Sequence, residues 1–84
     1  MEAELARNLI DLGTRYGESR GIEETTVGRL CAQDGRFFTR IRDGKTFTAK
    51  KYDEVISWFS ENWPTGADWP NDIARPDERA GVAA

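Results

Sequence analysis

The chain has 84 residues, 38% of them hydrophobic and 32% charged, with 12 Lys and Arg against 15 Asp and Glu for a net charge of −3. That length allows one small domain, and 3 Trp, 2 Tyr and 4 Phe argue for a packed core rather than a disordered polyampholyte. No His and a single Cys exclude a zinc site built from those ligands and any Ser-His or Cys-His nucleophile, so a binding module is expected rather than an enzyme, with no cofactor.

Cys31 cannot form an internal disulfide, which points to an intracellular setting. No apolar run approaches the ~18 residues of a membrane span. The start, Met1 to Glu4, lacks the basic and then apolar pattern of a signal peptide. The expected location is the cytoplasm.

In chain order, Leu5, Leu9, Leu12 and Tyr16 recur at spacings of four, three and four, which predicts a helix over 2–17. Gly17 and Gly21 bracket a break. A second helix is expected from Glu23 to Ala32, with Val27, Leu30 and Cys31 as its apolar positions. Asp34-Gly35 signals a turn, and Asp34 suits the capping position of a short third helix over about 35–42. Phe37, Phe38 and Ile41 form the apolar face of that helix. Asp43-Gly44 ends it, with Gly44 in the left-handed cap position. Thr48 then caps a fourth helix from Ala49 to Glu61, where Tyr52, Val55, Ile56 and Phe59 make one stripe.

Beyond Asn62 the composition changes. Pro64, Pro70 and Pro76 all lie here, two of them in Trp63-Pro64 and Trp69-Pro70. Proline lacks a backbone donor and disfavours helix before it, so the segment is predicted to be irregular. Its tryptophans argue that the first part folds back, while 77–84 has nothing to bury and is expected to fray. Trp58, Trp63 and Trp69 have two readings: they close the core against the first helix, or they form a dimer or partner surface. The expected architecture is all-α. It is a small four- to five-helix bundle over 1–62 with a central helix-turn-helix, followed by an irregular Trp/Pro-containing tail over 63–84.

Charge is unevenly spread. Residues 1–35 carry a net −3, residues 36–51 a net +5 and residues 52–84 a net −5. Half of all basic side chains thus fall within sixteen positions. They make either a solvated face or a phosphate-binding surface.

The stretch Glu24–Lys45 resembles the lambda-repressor-like (Xre/Cro) helix-turn-helix family of bacterial and phage regulators, and the resemblance extends over roughly 22–60. Gly28 stands at the family's small-residue position and Ala32 at its turn position. Val27, Cys31, Phe38 and Ile41 match the inward apolar positions. Arg42-Asp43-Gly44-Lys45 is similar to the ending of the family's recognition helix, and Thr48 opens a further helix as the family does. Glu24, Gln33 and Asp34 depart from the pattern: the family prefers Gln at the head of its second helix and an apolar residue after the turn glycine, and Asp34 sets an acid near the groove.

The resemblance implies a sequence-specific DNA-binding regulator of phage or mobile-element type, associated with the nucleoid and commonly dimeric, with its third helix in the major groove. Carried over by position, it exposes Gly35, Arg36, Thr39, Arg40 and Asp43. Arg36 and Arg40 lie one turn apart and are the expected base readers with Thr39, because Arg donates two bonds to guanine. Arg29, Arg42, Lys45, Thr46, Lys50 and Lys51 are the expected phosphate contacts. Lys50 and Lys51 sit in a first helical turn, where the dipole disfavours cations by ~0.3–1 kcal/mol and a phosphate alongside would offset that. The competing reading is a protein-interaction adaptor on the same fold, favoured by the acidic balance and by Asp34, with the Trp/Pro tail as its docking surface.

Overall fold

The apolar stripes organise the computed structural model, which describes residues 2–75. The fraying expected for 77–84 lies outside the described residues. Four helices follow one another: α1 (Glu2–Arg20), α2 (Glu24–Ala32), α3 (Phe37–Arg42) and α4 (Ala49–Asn62). Among the described residues all regular structure is helical.

Each helix lays one stripe into a common core. Leu9, Leu12 and Tyr16 come from α1, Val27, Cys31 and Ala32 from α2, Phe37, Phe38 and Ile41 from α3, and Val55, Ile56 and Phe59 from α4. Full burial of such side chains stabilises by about 1.5–3 kcal/mol each. Burial also pushes the Cys31 thiol up to about 12, so it behaves as a small apolar side chain. Asn8 Nδ2 donates to the Tyr52 hydroxyl at 3.1 Å and ties α1 to α4.

Three expectations shift. The first helix does not break at Gly17 but runs to Arg20, where the Ile22 N–H returns to the Gly17 carbonyl at 2.9 Å and closes the end. Leu30, expected to face inward, is 47% exposed. The core face of α2 is set by Val27, Gly28, Cys31 and Ala32, and Leu30 sits roughly 130° round from its centre at 3.6 residues per turn. The left-handed residue that ends α2 is Gln33, at φ 57°, whereas Ala32 is still helical.

The segment after α4 folds back as two similar five-residue units. In the first, Ala67 N–H donates to the Pro64 carbonyl at 3.2 Å, and Trp63 Nε1 donates to the Ala67 carbonyl at 3.0 Å. In the second, Ile73 N–H donates to Pro70 at 3.3 Å, and Trp69 Nε1 to Ile73 at 2.7 Å. Proline is the first residue of both turns, where its ring fixes φ and it has no N–H that needs a partner. Ile73 is buried, and the Arg75 guanidinium lies 4.8 Å over the Trp69 ring while Nη2 donates to the Ser60 carbonyl at 2.9 Å. Trp58 and Trp63 meet the Tyr16 ring at centroid distances of 5.2 and 6.3 Å. All three tryptophans therefore pack against the core, as the first of their two readings expects.

Candidate nucleic-acid interface

Sequence and close packing together fix the start of α3. Gly28 lies in the middle of α2, where a Cβ would sit 2.6 Å from the Asp34 carbonyl oxygen. Only glycine lets the chain return so closely. The Gly28 carbonyl accepts from the Asp34 N–H at 3.2 Å, and the Asp34 carbonyl accepts from the Phe37 N–H at 3.1 Å. The small-residue expectation at Gly28 thus has a concrete cause, though backbone from the turn rather than α3 itself makes the approach. The Asp34 side chain adds a second tie: Oδ1 accepts from the Arg36 N–H at 3.0 Å. Asp34 therefore caps the turn, and Arg36 rather than Asp34 is the residue that precedes the helix.

α3 is six residues long, about 9 Å at 1.5 Å per residue. Phe37, Phe38 and Ile41 are buried on one side. Arg36, Thr39, Arg40 and Asp43 are exposed on the other. Gly35, expected on the same exposed surface, is half-buried beneath the Arg29 side chain, whose Nε lies 3.5 Å from where a Gly35 Cβ would be.

The expected cations divide into two sets. Arg29, Arg36, Lys45 and Lys50 are exposed, and none forms an ion pair with another described residue. Thr46 is exposed beside Lys45. The others are engaged. Arg40 Nη1 bonds Asp34 Oδ2. Arg42 donates through Nε and Nη2 to Glu24 Oε1 at 3.0 and 2.7 Å, across from α3 to the head of α2. This bond raises the Arg42 proton affinity above its ordinary value. Lys51 Nζ donates to the Ala32 carbonyl at 3.3 Å. It sits unfavourably for the dipole of α4 but favourably at the C-terminal end of α2, which offsets the local penalty without an external anion. Thr48 Oγ1 accepts from the Lys51 N–H at 3.0 Å, so the expected cap of α4 is made.

The Asp34 carboxyl is held below its ordinary range, first by the Arg36 N–H and then by the positive charge of Arg40. Between α3 and the loop leading to α4 lies a cleft of about 310 Å³. Phe37, Ile41 and Phe47 form its apolar wall, and Arg40, Lys45 and Lys51 stand around it. Chemically, the surface can offer guanidinium and hydroxyl donors from α3 beside unpaired ammonium groups. It suits a polyanion that also presents hydrogen-bond acceptors.

Sequence reasoning did not identify Glu24 and Asp34 as partners of Arg42 and Arg40. The Asp34–Arg40 spacing of six crosses a turn and the Glu24–Arg42 spacing of eighteen crosses two helices, so neither matches the i, i+4 helical rule.

No protein-family model, curated protein or solved structure matches the chain. Among the described residues, no helix is long and apolar enough to cross a membrane, and no cluster of His, Cys, Asp and Glu could hold a metal ion.

Proposed function

We propose that the protein binds double-stranded DNA in a sequence-specific way and regulates transcription, with α3 in the major groove. The observation that carries this reading is the two-sided character of α3. Phe37, Phe38 and Ile41 bury one face, while Arg36, Thr39 and Arg40 are left outside immediately after a turn held by Gly28 and Asp34. A major groove about 12 Å wide admits such a helix. Arg40 and Arg36 read base edges and Thr39 supplements them. Lys45, Thr46, Lys50 and Arg29 hold phosphates on either side. Lys51 and Arg42 contribute through packing and through the field of the face rather than as free contacts. The acidic segments beyond 36–51 confine binding to this face and keep affinity for unrelated sequences low. The phage or mobile-element setting, the nucleoid location and a two-fold symmetric dimer on a near-palindromic site complete the proposal.

Selection of bound sequences from a random DNA pool, with the mass in solution measured alongside, tests binding, site and symmetry together. Arg40→Ala relaxes preference at one base pair, at a cost of ~1–3 kcal/mol on the preferred sequence. Lys50→Ala weakens all sequences alike and lowers the salt slope by about one. Absence of any salt-dependent DNA complex at low ionic strength would overturn the proposal.

The second reading, an adaptor for a protein partner, is favoured by Leu30, the large apolar side chain left exposed on α2. Capture of a stoichiometric protein partner that Leu30→Ser abolishes, together with no retention on heparin, would select it.

A further inference from the structure

Asp34 is a carboxylate in the middle of a surface otherwise suited to a polyanion, and its placement is over-determined. Its N–H and carbonyl close the turn on Gly28 and Phe37, Oδ1 takes the Arg36 N–H, and Oδ2 takes Arg40 Nη1. The side chain of Arg40 is 55% exposed and that of Asp34 30%. A long exposed arginine is therefore tied at its tip to a carboxylate fixed by the backbone.

We infer that Asp34 is a positioning residue that sets the sequence selectivity of Arg40 at the expense of overall affinity. The inference rests on the DNA-binding reading. A guanidinium has five N–H donors in one plane. Asp34 holds one of them, on Nη1, which leaves four, of which the two on Nη2 and the remaining Nη1 proton are at the tip for a base edge. A free arginine swings between phosphates and bases and settles on whichever acceptor is nearest. A tethered one keeps its plane and is complementary to the paired O6 and N7 acceptors of guanine. Fixing it before binding also removes the rotamer freedom that would otherwise be lost on the specific site alone. The carboxylate meanwhile repels phosphate and partly neutralises Arg40, which weakens contact with every sequence. The two effects have opposite signs on two measurable quantities, and a purely structural role for Asp34 gives neither pattern.

Asp34→Asn is the informative variant, because its amide oxygen still accepts from the Arg36 N–H while the charge is lost. Binding to a selected site and to unrelated DNA is measured by fluorescence anisotropy across a salt series, with circular dichroism confirming the fold. The expected result is that unrelated DNA binds about two- to fivefold more tightly at low salt. The ratio of selected to unrelated affinity is expected to fall by about three- to tenfold. In the Arg40→Ala background, Asp34→Asn leaves that ratio unchanged. If the ratio is unaltered in the single variant, or if the two substitutions reduce it independently, the inference fails while the DNA-binding reading stands. If the wild-type chain shows no salt-dependent DNA binding, the DNA-binding reading fails first. Should Asp34→Asn lower thermal stability, Asp34→Ser, which keeps a side-chain oxygen for the Arg36 N–H, provides the same comparison.

Discussion

The turn before α3 and the loop after it differ in how their atoms are engaged. Residues 33–36 are tied at nearly every step. Gln33 is left-handed, the Asp34 backbone closes on Gly28 and Phe37, and its side chain engages Arg36 and Arg40. Residues 43–48 are held at their two ends and by Phe47, which packs against the core and stacks on Tyr52. The Gly44 and Lys45 N–H groups return to the Ile41 and Arg40 carbonyls at 3.0 and 2.9 Å, and Thr48 caps α4. Between those ends Lys45 and Thr46 are exposed. The first turn fixes how α3 leaves the body and where its arginines stand. The second leaves donors uncommitted. Under the proposed DNA-binding reading, the first turn would position base contacts and the second would supply phosphate contacts.

Substitution separates the two. The largest effect is expected from Gly28→Ala, because the added methyl meets backbone that cannot swing aside: a loss of about 2–3 kcal/mol in chemical denaturation. Gly44→Ala comes next. Its φ of +87° is strained for any residue with a Cβ, but no heavy atom of another segment lies within 4 Å. It costs about 1–2 kcal/mol, and Gly44→Asn costs less. Thr48→Ala is worth about 1 kcal/mol through the lost cap. Near-equal losses at Gly28 and Gly44 would erase the contrast between the turns. Glu24→Gln, at an exposed pair, changes stability by at most ~1 kcal/mol.

The smallest expected effect is on pH dependence. The Asp34 pKa is lowered in the folded state, so its contribution is present above the ordinary carboxylate range and is lost as pH falls through the folded value. An acid titration of Asp34→Asn followed by circular dichroism should therefore show a shallower loss of stability at its acid end than the wild-type chain. An identical acid limb would mean that the Asp34 contacts do not distinguish the folded from the unfolded state.

Local rules made much of this readable from the sequence. Phe38 and Ile41 at a spacing of three, Thr48 before a new stripe and Gly44 after Asp43 each carry a one-turn signal, and all were found in the expected roles. Leu30 lies outside the core, which periodicity does not show, because it counts apolar residues without knowing which side the neighbouring helices occupy. Gln33 carries no sequence signal for its conformation, because a left-handed residue is ordinarily glycine or asparagine, and here contacts on either side of it hold the conformation. Lys51 and Arg42 illustrate the larger gap. Their partners, the Ala32 carbonyl and Glu24, lie nineteen and eighteen residues away. Net charge by segment located the cationic face but not which cations are already engaged.

The two Trp-Pro units after α4 have a consequence for how the chain's end stays attached. Each indole proton is locked onto the last carbonyl of its own turn, so each exchanges with solvent only when that turn opens. The units share only Trp-Pro in sequence, and at their fifth residue one has Ala67 and the other the buried Ile73. Opening the second also withdraws Ile73 from the core and disturbs the Arg75 contacts with Ser60. The turn farther along the chain therefore ties its opening to loss of a core side chain and of an arginine clamp, so the segment's far end is fastened to the body rather than trailing from it.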